Sequence, residues 1–135
     1  MKVIIIFGPP GAGKGTQANL ICKKLNFIHF STGEALRNEI AKKTKLGNQI
    51  ADIISKGDLV TDELSTQITK NFIIANKNKD VLLDGFPRTL KQAENLLEIF
   101  KEFKINKCRN SALNKKIFLR LLLTRKIDIR RVINK

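Results

Sequence analysis

The feature that most constrains the fold is a glycine-rich segment set between an apolar run and a helical pattern. Residues 3–7 are a continuous β-branched run that stops at Gly8, which is typical of a strand buried on both faces of a parallel sheet. Residues 8–16 read Gly-Pro-Pro-Gly-Ala-Gly-Lys-Gly-Thr. After them, apolar residues recur at i, i+3, i+4 and i+7, which predicts a helix beginning near Lys14.

A strand, a glycine-rich loop and a helix in this order predict phosphate binding. Small residues let the backbone N–H groups approach an anion closely, and the helix directs its positive end at that anion. Lys14 is placed to neutralise the β- and γ-phosphates of a nucleotide. Gly15 stands where Ser or Thr usually binds magnesium, and Thr16 follows one residue later. The alternative is a glycine-rich turn with no ligand.

The rest of the first 107 residues alternates between strand and helix patterns. Short strands are predicted at 27–30 and 81–83, and helices are predicted after Ser31, around 46–54, from Thr61 and from Thr89. Ser31 with Glu34, and Thr89 with Gln92, each fit a capping box. This order predicts an α/β fold, a parallel sheet flanked by helices in three layers and incomplete at its C-terminal end.

Composition excludes several classes of protein. With 42% hydrophobic residues the 135-residue chain is not disordered, and its longest clean apolar run is too short to cross a bilayer. Two cysteines and one histidine exclude a disulfide scaffold and argue against structural zinc. Because the start of the chain lacks the features of a signal peptide, we expect a cytoplasmic protein with no membrane partner.

The net charge of +14 is uneven along the chain. Residues 1–107 hold 17 basic and 11 acidic residues, whereas residues 108–135 hold 9 basic and 1 acidic. The second segment is therefore a basic tail, and a nucleic-acid-binding module is one hypothesis for it. The tail has a single aromatic residue, Phe118, so any such binding is expected to be sequence-blind and sensitive to salt. We expect no specific nucleic-acid partner.

Three further residues are candidates for a nucleotide site, each with an ordinary alternative. Asp84 follows a predicted strand, where a carboxylate can orient Mg²⁺ and its waters, or can simply cap the turn before Gly85. Arg37 and Arg88 are the only arginines among the first 108 residues and suit bidentate phosphate recognition, or are plain surface charges. His29, the single histidine, is interpreted as structural.

Four motifs together resemble the adenylate kinase family over residues 1–107. They are the glycine-rich segment at 8–16, Ser-Thr-Gly-Glu-Ala-Leu-Arg at 31–37, Asp-Leu-Val-Thr-Asp-Glu-Leu at 58–64 and Leu-Asp-Gly-Phe-Pro-Arg-Thr at 83–89. The family's own phosphate loop reads Gly-Lys-Gly-Thr, which accounts for Gly15. The resemblance implies a P-loop core at 1–30 and 61–107, with an AMP-binding subdomain at 31–60.

The same resemblance implies transfer of the γ-phosphoryl group of ATP to AMP with Mg²⁺, by a monomer. It places ATP on Gly11, Ala12, Gly13, Lys14, Gly15, Thr16 and Arg120. It places AMP on Thr32, Arg37, Asp58, Leu59, Val60, Gly85, Phe86, Pro87, Arg88 and Gln92, with Thr32 and Gln92 selecting adenine. Lys14, Asp84, Arg88 and Arg120 are the expected catalytic residues, and Asp84 is expected to hold the metal through water.

Residues 108–135 depart from the family pattern. Members of the family continue with a fourth buried strand and an arginine-bearing lid, whereas this segment contains no glycine to build a lid's turns. Arg120 is matched to the arginine before the lid. We therefore expect a truncated, frame-disrupted or degenerate chain, and a nucleotide-binding remnant without turnover is the alternative to an active kinase.

Overall fold

The computed structural model describes residues 1–6 and 11–105, and within them the chain alternates between strands and helices. The strands are β1 (Val3–Ile6), β2 (Ile28–Ser31) and β3 (Val81–Asp84). The helices are α1 (Lys14–Leu25), α2 (Thr32–Ala41), α3 (Lys45–Ser55), α4 (Asp62–Ala75) and α5 (Leu90–Glu102). The predicted α/β fold class is confirmed.

The three strands form one parallel sheet in the order β1-β3-β2. Val81 of the central strand pairs with Val3 on one side and with Ile28 on the other. Val81, Leu82 and Leu83 are all fully buried, which explains why β3 is a short run of apolar residues without alternation. The last residues of the strands, Ile6, Asp84 and Ser31, lie side by side.

The two faces of the sheet are covered by different helices. On one face, Val3, Phe30 and Leu83 pack with the buried side chains of α4 and α5. On the other face, Ile6 and Leu82 pack with Ala18 and Ile21 of α1. Because successive side chains in a strand point to opposite faces, Asp84 shares the α1 face with Leu82. Helix α1 and the Asp84 side chain therefore lie on the same face of the sheet.

The hydrogen bonds at the helix N-termini show which of the predicted residues cap their helices. Thr89 and Thr61 cap their helices as expected, accepting from the N–H groups of Gln92 and Leu64. The capping box predicted at Ser31 is wrong, because its side chain makes no cap hydrogen bond. Ser31 is still the last residue of β2 and pairs with Asp84, so the helix begins directly from the strand.

Helices α2 and α3 form a small lobe between β2 and α4. They cross closely at Gly47, where an added Cβ would overlap the backbone carbonyl of Glu39. Ile50 of α3 is fully buried in the main core cluster, which fastens the lobe to the body of the domain. Helices α2 and α3 therefore pack on the same core as the rest of the described chain.

Some sequence predictions fall outside the described residues. The end of the first predicted strand at Phe7 is one, and every prediction for residues 108–135, Arg120 included, is another. Among helices α1–α5, none is long and apolar enough to span a membrane.

Candidate functional site

The glycine-rich turn leads directly into α1. Gly11 and Gly13 have φ angles of +77° and +76°, a left-handed conformation that side-chain-bearing residues rarely adopt. Gly13 is the N-cap of α1 and has no side chain to occupy the helix end. The first N–H groups of a helix have no acceptor within it, so this turn offers backbone donors to an anion.

The six predicted ATP-binding residues of this turn lie together. Gly11, Ala12, Gly13, Gly15 and Thr16 are exposed to solvent, and Lys14, the first residue of α1, is half-buried. An added Cβ at Gly11, Gly13 or Gly15 would meet no atom of the described residues within 4 Å. Among the described residues, the space beside these glycines is open, which suits a ligand that approaches the backbone.

Asp84 lies at the carboxyl end of the central strand, on the α1 face of the sheet. Its side chain is 16% exposed, and its Oδ2 is 3.4 Å from Nε2 of His29. His29 pairs with Leu82 and Ser31 pairs with Asp84, so His29 and Asp84 are diagonal neighbours on one face. From the sequence, His29 is interpreted as structural, and no local pattern connects it to Asp84. The strand register, once known, predicts this contact.

The turn after β3 brings two predicted AMP-binding side chains to Gly85. A Cβ built on Gly85 would lie 3.0 Å from Nη2 of Arg88 and 3.4 Å from Oγ1 of Thr32. Thr32 also donates weakly to the carbonyl of Asp84, at 3.5 Å. Phe86 and Pro87 are buried and joined by a cis peptide bond. A side chain at position 85 would therefore crowd the Arg88 guanidinium, contact Thr32 and strain the backbone, which has a φ of +85° there.

Arg88 is held by the turn that precedes it. Its Nε donates to the carbonyl of Gly85 at 2.9 Å, while the side chain remains exposed. Arg37 is exposed on α2, and its Nη1 would lie 3.3 Å from a Cβ built on Gly33. Arg37 is thus beside Gly33, and Arg88 is beside Gly85, which Thr32 also approaches. Because Gly33 follows Thr32 directly, both guanidinium groups are close to the segment formed by Thr32 and Gly33. Two planar cations at this edge suit a phosphate.

Gln92 is buried, and its side-chain amide is hydrogen-bonded to protein groups on two sides. Its Oε1 accepts from the backbone N–H of Arg88 at 2.7 Å, and its Nε2 donates to Asp62 at 2.8 Å. The reciprocal half of the predicted capping box is thus displaced by one residue, from the N–H of Thr89 to that of Arg88. Sequence reasoning missed Asp62, because an acidic residue after Thr61 is already typical of a helix start.

The predicted AMP-binding segment 58–60 is less tightly joined to this site. Leu59 is 92% exposed, whereas Val60 packs against the main core cluster. The segment is followed by Thr61 and Asp62, and Asp62 bonds to Thr89 and Gln92. Segment 58–60 therefore approaches the site through the start of α4.

The donor set fits a magnesium ion that keeps most of its waters. No group of three or more histidine, cysteine or acidic side chains placed to share a metal occurs within residues 1–6 and 11–105. Asp84 is a single, partly buried carboxylate on the side of the sheet where α1 begins. Mg²⁺ commonly binds through one or two carboxylates, substrate phosphates and several waters. Asp84 meets that requirement.

Comparison with known proteins identifies the family. The sequence model of the family described as adenylate kinase matches residues 6–130. The chain belongs to the adenylate kinase family. An adenylate kinase of Prochlorococcus marinus (strain NATL1A) is 50% identical over 105 residues, which are 78% of this chain and 56% of that protein. An adenylate kinase of Elusimicrobium minutum (strain Pei191) is 50% identical over 99 residues, 73% of this chain and 46% of that protein.

The matches cover most of this chain but only part of each relative. The chain spans about half the length of the curated adenylate kinases that it matches. The match to the adenylate kinase family continues to residue 130, beyond residue 107, where the resemblance seen in the sequence ends, and well beyond the last of the four motifs at 83–89. Family membership therefore rests on more of the chain than those motifs alone.

Proposed function

We propose that this chain transfers the γ-phosphoryl group of ATP to AMP, forming two molecules of ADP. The observation that carries the proposal is the convergence at one edge of the sheet. The left-handed glycine turn, Lys14 and Asp84 lie on the α1 side, and Thr32 and Arg88 meet at Gly85 directly after β3. Phosphoryl transfer needs in-line positioning and cationic stabilisation more than a general base.

On the ATP side, the backbone of residues 11–16 binds the phosphates, and Lys14 neutralises charge on the β- and γ-phosphates. The left-handed φ angles of Gly11 and Gly13 and the exposure of the turn support this assignment. Arg120 is assigned to ATP and to catalysis on the family resemblance alone.

On the AMP side, Arg37 and Arg88 bind the phosphate, and Thr32 and Gln92 contact the base. The backbone of Asp58, Leu59 and Val60 and the turn Gly85, Phe86 and Pro87 complete the site. The hydrogen bond from Arg88 to Gly85 supports this role because it orients the guanidinium before AMP arrives. In this proposal residues 31–60 are the AMP-binding lobe and residues 1–30 and 61–107 the core.

Asp84 is proposed to hold the hydration shell of Mg²⁺ that arrives with ATP. The ion supplies neutralisation of charge that develops on the transferring phosphoryl group. His29 lies 3.4 Å from the Asp84 carboxylate and limits the directions in which that carboxylate can turn.

The decisive experiment measures ADP formed from Mg-ATP and AMP by the purified 135-residue chain and its Lys14→Ala variant. We expect the variant to lose about two orders of magnitude or more in turnover, because it lacks a cation at the transferring phosphate. Lys24→Ala is the matched control, since it removes the same charge from the last turn of the same helix. Wild-type turnover in Lys14→Ala would contradict the proposal.

Nucleotide binding without turnover is the second candidate function. The observation that favours it is that the match covers about half of each adenylate kinase compared above, and groups that close over nucleotides can belong to the remainder. Saturable ATP and AMP binding with no ADP formation would select this candidate, and steady turnover above the Lys14→Ala background would exclude it.

A further inference from the structure

The side-chain amide of Gln92 is held in one orientation by two partners of opposite hydrogen-bonding character. Nε2 donates to Oδ1 of Asp62, and Oε1 accepts from the backbone N–H of Arg88. An ionised carboxylate can only accept, and a backbone N–H can only donate. Exchanging the amide nitrogen and oxygen would break both bonds, and at 6% exposure water does not replace them.

Asp62 is itself fixed by the helix that carries Gln92. Its Oδ2 accepts from the hydroxyl of Thr89 at 2.9 Å, and the same hydroxyl oxygen accepts from the backbone N–H of Gln92 at 3.1 Å. These bonds join the first turns of α4 and α5 in a closed ring. The Asp62 carboxylate therefore cannot turn away from Gln92 without also losing its bond to the N-cap of α5.

The fixed amide still has hydrogen-bonding capacity for a ligand. Its contacts with the described residues use one of its two N–H groups and one of the two lone pairs on its oxygen. A 6-amino purine presents an acceptor, N1, beside a donor amino group, whereas a 6-oxo purine presents a donor, N1–H, beside an acceptor oxygen. An amide free to turn by half a rotation matches both purines, but a fixed amide matches only one.

We propose that Asp62 is a positioning residue that acts through Gln92 to make the AMP site select a 6-amino purine over a 6-oxo purine. This inference rests on the proposed function, in which Gln92 contacts the base. In this proposal Asp62 touches neither nucleotide. It determines at which positions the Gln92 amide presents its donor and its acceptor to the base.

The test compares equilibrium binding of AMP and IMP to the full chain, because these nucleotides differ only at the purine edge in question. We expect the wild-type chain to prefer AMP and Asp62→Ala to lower the ratio of AMP to IMP affinity about tenfold or more, since a hydrogen bond to a charged group is lost. Asp62→Asn keeps the shape of the side chain. It should lower the ratio less, because its amide oxygen still accepts but its nitrogen also donates.

Glu63→Ala is the matched control. It removes a carboxylate from the same first turn of α4, and Glu63 is exposed, whereas the Gln92 amide bonds to Asp62 and Arg88. We expect the affinity ratio to be unchanged. A purely structural loss at the start of α4 would weaken AMP and IMP binding together and leave the ratio unmoved.

A double variant tests whether the effect passes through Gln92. In a Gln92→Ala background, Asp62→Ala should not lower the ratio further. A further fall in that background would overturn the inference, and so would the wild-type ratio in both Asp62 variants. A wild-type chain with no preference for AMP would overturn the proposed AMP site itself, and that outcome is visible before any substitution is made.

Discussion

At the scale of single residues, Cys22 carries a directional prediction. It lies on α1 beside the cluster formed by Ile6, Ile21 and Leu82, and burial raises the pKa of its thiol. Since the thiolate is the reactive form, Cys22 should be alkylated by iodoacetamide more slowly in the folded chain than in urea at pH 8. Mass spectrometry of the peptide containing Cys22 separates it from Cys108. Equal rates in both states would contradict the prediction.

The same shift has a consequence for stability. Because the folded chain keeps the Cys22 proton to higher pH than the unfolded chain does, its contribution to stability is complete below the ordinary thiol pKa. That contribution is lost as the pH rises through the raised pKa.

Single residues also show which parts of the site are predictable from sequence. The left-handed Gly11 and Gly13 belong to a local motif, so their conformation follows from nine consecutive residues. The bond from Gln92 to Asp62 joins residues thirty positions apart, on two different helices. The local sequence pattern places both Asp62 and Gln92 at helix starts, but it does not indicate that they contact each other. The contact depends on how α4 and α5 pack.

At the scale of elements, the start of α3 offers a test of capping. Thr44 accepts from the N–H of Gly47 at 2.9 Å, whereas Ser31 makes no cap bond at the start of α2. Thr44→Ala should lower the free energy of unfolding by about 1 kcal/mol, and Ser31→Ala by less than about 0.5 kcal/mol. Urea denaturation followed by circular dichroism measures both. A larger loss of unfolding free energy for Ser31→Ala would indicate that the capping box predicted from the sequence does form there.

This pair also shows where sequence patterns fail at element boundaries. The Ser-x-x-Glu pattern at 31–34 is the stronger signal in sequence, yet pairing of Ser31 with Asp84 keeps its backbone in the sheet. Strands β1 and β3 were predictable because each contains a continuous apolar run. Pairing partners and strand order come from packing, which sequence periodicity does not contain.

At the scale of the whole molecule, the central strand should dominate stability. Leu83 is fully buried between its neighbouring strands and the α4–α5 layer, whereas Leu20 of α1 is 55% exposed. Leu83→Ala should lower the free energy of unfolding by about 2–5 kcal/mol, and Leu20→Ala by less than about 0.5 kcal/mol. Chemical denaturation of the two variants makes the comparison. Similar losses would mean that this face of the sheet is not close-packed.

The strand order also determines when the sheet can form during synthesis on the ribosome. β1 and β2 are made first, but each of them pairs only with β3 among the three strands, and β3 is complete only at residue 84. Until then the emerging polypeptide holds two strands that have no hydrogen-bonding neighbour in this sheet. Non-local pairing of this kind forms slowly and leaves such segments open to aggregation. A nascent chain that stalls short of residue 84 is therefore a natural client for chaperones and proteases.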